Sequence, residues 1–212
     1  MMMQHNKFEG VPVGEARGER FEERMRRIRT DMLIAAKLRA RDDSPWFAAR
    51  VMSGREIAVK DSLEEAAIEA CVPMRKGPEY RRRGRVIPAK MIPVMTGYVL
   101  VRFIPSDEAF ISLRSFDHVI GMLGSSDGPH PILNSEVNRF KALADEGQLD
   151  WERPTVVFRK GEKVRINEGP FASFCGEVVS CRGDGKGDAV VEMSLFSGTT
   201  PVLMPLAILE KV

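Results

Sequence analysis

His5, His118 and His130 are the side chains of this 212-residue chain best suited to moving protons, and their spacing does not serve that purpose. They are isolated from one another, with no nucleophile-and-base pairing and no H-x-x-x-H run. Asp117 precedes His118, but with no third partner in view the pair reads as a turn, not as an acid–base couple. Gly183, Gly185 and Gly187 precede a strand pattern and not a helix, so they do not form a phosphate-cradling loop. Cys71, Cys175 and Cys181 make an odd count without C-x-x-C, which argues against a disulfide framework or a zinc site and fits a reducing cytoplasm. No catalytic residue, metal or cofactor is expected. The residues point to binding.

Two patterns carry that reading. Between residues 75 and 90 stand Arg75, Lys76, Arg81, Arg82, Arg83, Arg85 and Lys90 against one acid, Glu79. The net charge of +2 hides this cluster, which is a local field of the kind that attracts phosphate. Tyr80 inside it is placed to stack on an unpaired base, and the plainer alternative is a solvated loop. The second pattern is Lys163–Ser180. Val164 and Ile166 alternate with charged residues, Asn167–Pro170 supplies a turn, and Gly176 opens a second run through Val178 and Val179. A strand, an aromatic-bearing turn and a strand suit a small barrel that displays a loop.

The elements that must position these residues follow from periodicity. Residues 1–18 lack apolar periodicity and are expected to be disordered. Glu19–Arg41 reads as a charged helix with Phe21, Met25, Ile28, Met32 and Ala36 on one stripe and Glu22–Arg26 and Glu23–Arg27 as i,i+4 pairs. Trp46–Met52 reads as a strand. Ser53–Glu56 matches a capping box, with a helix expected to about Ala70. Gly97–Phe103 is a strand buried through most of its length, Ser106 or Asp107 caps a short helix, Val119–Leu123 is a strand, and Asn134 starts a last helix. This order predicts an α+β domain over 45–146, a sheet with helices on one side. Residues 147–158 read as a linker. Strands at 163–167, 175–181, 188–194, 199–204 and 207–210 predict a C-terminal all-β SH3-like barrel over 159–212, with Gly183–Gly187 as a mobile hairpin tip. The longest apolar run, Met91–Val101, is broken by Pro93, Thr96 and Gly97 and is too short to span a bilayer, and the N-terminus lacks a signal-peptide core. No membrane partner and a cytoplasmic location are expected.

The order of several blocks resembles the NusG family of transcription elongation factors. Trp46-Phe47 with Ser53-Gly54, Thr96–Val101, Leu113-Arg114-Ser115 followed by Val119–Gly124, and Pro131-Ile132 with Glu136-Val137 are similar to its N-terminal NGN domain. Gly169-Pro170-Phe171, Gly176, Ser194–Gly198 and Thr200-Pro201-Val202 are similar to its KOW domain. The resemblance implies an NGN-type α/β sandwich with an antiparallel sheet followed by a KOW barrel, and a monomeric binding protein that is not an enzyme. It implies docking on the clamp helices of RNA polymerase through Trp46, Met95, Tyr98 and Phe110, and backbone contact with non-template DNA or nascent RNA through Arg75, Lys76, Arg81, Arg82, Arg83 and Arg85. It implies recruitment of Rho and/or the ribosomal protein NusE through Phe171, Leu195 and Phe196. For Trp46, Tyr98 and Phe171 the competing reading is simple core. Met95-Thr96 stands where the family has Phe-Pro, and the first 44 residues have no counterpart in its short members. A ribosome-associated KOW protein and an operon-specific paralogue therefore stand as alternatives. One specialised paralogue folds its KOW domain as a helical hairpin. Here Val178, Val179, Val190, Val191, Thr199 and Thr200 and the glycines at 183–187 favour strands and a permanent barrel.

Overall fold

The computed structural model describes residues 21–38, 44–125, 128–195 and 198–212. The expected disorder of residues 1–18 lies outside them. Strand alternation decides the architecture of the first part. After helix α1 (Phe21–Leu38) come β1 (Trp46–Val51), α2 (Glu56–Glu65), β2 (Glu69–Cys71), β3 (Met74–Lys76), β4 (Tyr80–Arg82), β5 (Arg85–Ile87), β6 (Met91–Pro93) and β7 (Tyr98–Arg102). They are followed by α3 (Asp107–Leu113), β8 (Val119–Met122), the short strands β9 (Gly124–Ser125) and β10 (Gly128–Pro129), and α4 (Asn134–Asp145). The main sheet is antiparallel in the order β2-β7-β1-β8, with Ala48 opposite Leu100. Trp46, Ala48, Tyr98 and Leu100 line one face, and Phe47, Ala49, Val99 and Val101 the other. That period of two places a core on each side of the sheet. Val59 and Leu63 of α2, Leu113 of α3 and the fully buried Leu33 of α1 cover the Phe47 face. Val137, Phe140 and Ala144 of α4 cover the Trp46 face, so helices flank the sheet on both sides where one was expected. Helix α1 packs chiefly through Leu33, whereas Phe21 and Met32 of the expected stripe are exposed.

Three local expectations change. Helix α2 stops short of Ala70 because Ala67 takes φ +58°, Ala67 N–H donates to Glu64 O at 2.8 Å and Ile68 N–H donates to Leu63 O at 2.8 Å. This is the Schellman arrangement, here built without glycine. Glu56 does not close a capping box; its Oε1 accepts from Gly97 N–H at 2.7 Å. The basic segment is a paired arm where a loop was the plainer reading. Strands β3 and β6 pair Arg75 with Ile92, and β4 and β5 pair Tyr80 with Ile87 and Arg82 with Arg85. Arg83 (φ +51°) and Gly84 (φ +76°) form the tip, the double left-handed geometry of a two-residue hairpin turn.

The second part contains β11 (Lys163–Ile166), β12 (Cys175–Cys181), β13 (Asp188–Leu195), β14 (Gly198–Pro205) and β15 (Leu209–Lys211), within a residue or two of the sequence expectation. They form one antiparallel sheet ordered β14-β13-β12-β11-β15. Val164, Ile166, Val178, Val191, Met193, Val202 and Met204 are buried. Among the described residues the outer strands β14 and β15 do not pair, so the sheet is open where a closed barrel was expected. Strand β15 has three residues, and all its partners are on β11.

The two parts share a core. Met95, Tyr98 and Phe140 belong to the same apolar cluster as Val164, Phe171 and Met204. Residues 147–158 are neither helix nor strand and run between the parts with Leu149 and Phe158 buried. Trp151 N–H donates to Lys76 O (3.0 Å) on one side, and Gly187 N–H donates to Trp151 O (3.0 Å) on the other. The hairpin tip expected to be mobile is clasped, because Gly185 O accepts from both N–H and Oγ1 of Thr155 at 2.8 Å. A Cβ at Gly187 would lie 2.6 Å from the Trp151 ring, so only glycine allows this approach.

Candidate functional site

The apolar face begins at the turn before β7. Gly97, held by Glu56, sets the direction of Tyr98, and Met95 precedes them both. Trp46 opens β1; its Nε1–H donates to Asn134 Oδ1 at 3.0 Å, and the Arg102 guanidinium sits 5.4 Å over its ring. Trp46, Met95 and Tyr98 share one buried cluster. Phe110 does not join them. It lies across the sheet, 5.2 Å from the Phe47 ring and 5.4 Å from Phe103, because α3 packs on the other face.

Phe171 covers Tyr98 from the second part. The two rings meet edge to face, centroids 5.0 Å apart at 89°. Phe171 is wholly buried and Tyr98 is 9% exposed, and burial pushes the Tyr98 phenol above its ordinary range. Phe174 adds a second edge-to-face contact to His130, at 5.2 Å. Around this apolar seam, Arg139 Nε–H donates to Glu168 Oε2 at 2.8 Å.

Arg75 is set apart from the rest of the basic segment. It is 2% exposed, and Nη2 pairs with the carboxylate of Asp188, itself at the start of β13. Nη1–H donates to Leu149 O at 3.2 Å, and the guanidinium lies 5.5 Å over the Trp151 ring. Its Nε–H has no acceptor among the described residues. Burial pushes the Asp188 carboxyl up, and the Arg75 charge offsets part of that rise. In this arrangement Arg75 is turned away from any outside phosphate. Lys76, Arg81, Arg82, Arg83 and Arg85 are all exposed, as is Tyr80. No carboxylate among the described residues forms an ion pair with the side chain of any of the five, although Lys76 backbone N–H donates to Asp150 Oδ1 at 2.9 Å.

Of the residues assigned to the C-terminal partner, Phe171 faces Tyr98. Phe196 lies outside the described residues, and Leu195 is described only as the end of β13. Sequence reasoning missed Asp188, Trp151 and Glu56. Trp151 offered a signal, as one of two tryptophans in the chain standing in a supposed linker; Asp188, 113 residues from its partner, offered none. Among the described residues no three His, Cys, Asp or Glu side chains gather to hold a metal, and no helix is long and apolar enough to cross a membrane.

An α/β part with a double-faced sheet is joined to a five-stranded antiparallel part across a shared aromatic seam. A family profile described as transcription termination factor nusG matches residues 44–141. The chain is 34% identical over 181 residues to the transcription termination/antitermination protein NusG of Escherichia coli O6:H1, covering 78% of this chain and 95% of that one. It is 34% identical over 177 residues to the protein of the same name from Vibrio parahaemolyticus, covering 78% and 94%. Among solved structures it is similar to the one titled "Domain interaction in Thermotoga maritima NusG", at 27% identity, with a TM-score of 0.40, covering 80% of this chain and 97% of that one. The chain belongs to the NusG family of transcription termination/antitermination proteins.

Proposed function

We propose that this chain is a transcription elongation and antitermination factor that binds RNA polymerase without catalysing a reaction. The observation that carries the reading is that Phe171 of the second part covers Tyr98 edge to face, in one buried cluster with Trp46 and Met95. An aromatic face that another module covers is a face with partner chemistry: it keeps its apolar area out of water until a competing surface replaces the cover. The clamp helices of RNA polymerase would be that surface, received by helix-in-groove packing. Phe110 then acts from the far side of the sheet by supporting Phe47, not by contact. Bound across the clamp, the factor favours the elongating polymerase conformation through differential affinity and suppresses pausing.

The C-terminal sheet serves as the KOW barrel, with Phe171, Leu195 and Phe196 as its contact residues for Rho or NusE, and residues 147–158 become the tether once the parts separate. Each half covers the other's rings, so either partner displaces the other half by competition. The exposed arginines of the β4–β5 hairpin contact nucleic-acid backbone without reading bases. The factor works as a cytoplasmic monomer.

Retrieval of RNA polymerase and of Rho or NusE from lysate by wild type, Tyr98→Ala and Phe196→Ala tests this. Tyr98→Ala is expected to weaken polymerase retrieval, and Phe196→Ala only that of the C-terminal partner. Equal polymerase retrieval by all three would overturn the assignment of the face.

A further inference from the structure

We infer that nucleic acid bound along the basic arm separates the two parts of the chain, because its phosphates and Asp188 compete for Arg75. This rests on the reading of the arm as a nucleic-acid contact and adds its regulation.

Strands β3 and β6 and strands β4 and β5 form one continuing two-stranded arm, with Gly77 N–H donating to Lys90 O (2.8 Å) at the junction. Arg75 stands at its base and Arg82–Arg85 face each other near its tip. Like charges directly opposite in a ladder repel, so this arm carries a standing deficit of anions. While the parts are packed together, Asp188 neutralises Arg75 and holds it inside. Once they separate, Arg75 returns to the arm as one more free cation.

The closed pair is poised for that exchange. Arg75 is stripped of water and Asp188 largely so, and the attraction between them must offset that loss. Arg75 Nε–H is an orphan donor, which an approaching phosphate oxygen would satisfy. A cleft of about 490 Å³, lined in part by Trp151 and Asp188, reaches the Asp188 side of the pair. By linkage, a polyanion that binds the open form better than the closed one must shift the chain toward opening. The open form offers one more phosphate contact, so for a single strand its binding should fall with salt more steeply by about 0.7 in log–log slope. From Arg75 to Arg82 the arm spans seven residues, roughly 23 Å when extended. A stacked single strand at roughly 3.4 Å per nucleotide needs about seven nucleotides to run from tip to base.

The test is small-angle X-ray scattering of the whole chain titrated with single-stranded DNA, beside fluorescence anisotropy of the same labelled oligonucleotide. An oligonucleotide of about 15 nucleotides is expected to bind and enlarge the radius of gyration, whereas one of about four, short of the base, should bind weakly without enlarging it. Asp188→Asn is expected to enlarge the free protein and tighten binding several-fold. Arg75→Gln should bind less tightly and show no further expansion on binding. Binding of the longer strand by wild type with an unchanged radius would overturn this inference and leave the arm's contact intact. Absence of binding by anisotropy would overturn the contact itself, and the inference with it.

Discussion

The edge of the Phe171 ring stands against Tyr98 at 5.0 Å and 89°, joining two aromatics that the sequence keeps 73 positions apart. The contact ties the apolar face of the first part to the turn between β11 and β12. Aromatic pairs of this geometry contribute about 0.5–1.5 kcal/mol beyond burial. A double-mutant cycle of Tyr98→Leu and Phe171→Leu, followed by denaturant unfolding, should give a coupling energy of that size. Additive losses would mean that the rings are only neighbours.

The Arg75–Asp188 pair should show the asymmetry of buried charges. Asp188→Ala leaves an uncompensated guanidinium and is expected to cost the packing of the two parts about 3–5 kcal/mol, while the double change Arg75→Met with Asp188→Leu costs far less. Thermal unfolding of the three proteins decides it. Equal losses in the single and double variants would show that the pair contributes by shape alone.

Gly187→Ala places a methyl group against the Trp151 ring and forces alanine to φ +80°. The expected loss is about 1–3 kcal/mol, of which Trp151→Ala should restore only the steric part, since the backbone conformation stays unfavourable. Chemical denaturation of the single and double variants measures the split.

Alkali should loosen the seam. The Tyr98 phenol is raised above its ordinary value of 10.0 by burial, with the Arg50 charge pulling slightly the other way. The packed form therefore holds its proton where the separated form has released it. Packing loses stability as pH rises from the ordinary phenol value through the raised one, and is unaffected below that window. Scattering across this pH range should show expansion for wild type and a flatter response for Tyr98→Phe. Identical profiles would remove Tyr98 from the alkaline transition.

Much of the fold was legible because apolar residues either run nearly unbroken, as in Tyr98–Arg102, or alternate, as in Lys163–Ile166. Gly97–Phe103 and the five C-terminal strands could be placed from apolar spacing alone, and Ser106 caps α3 through its Oγ on Ala109 N–H at 3.2 Å. The end of α2 was hidden because Ala67 adopts a left-handed conformation that alanine does not advertise. The basic hairpin was hidden because an arginine occupies a turn position usually filled by Asn or Asp. The site was only half legible. The family resemblance grouped Trp46, Met95 and Tyr98, while residue type grouped Arg75 with its charged neighbours. A buried ion pair with Asp188 depends on how two sheets meet, and local spacing carries no record of that. Phe110 was misplaced for a related reason, since one residue on a short helix does not reveal which face of the sheet the helix covers.

If the two halves cover each other's binding rings, loosening one contact must strengthen binding of the whole chain to RNA polymerase. The measurement is the dissociation constant of the complex for wild type and for Asp188→Ala, with scattering to confirm that the variant has opened. Apparent affinity scales with the fraction of chains in the competent state, so the opened variant should bind at least about tenfold more tightly. An opened Asp188→Ala that binds polymerase no better than wild type would contradict the account.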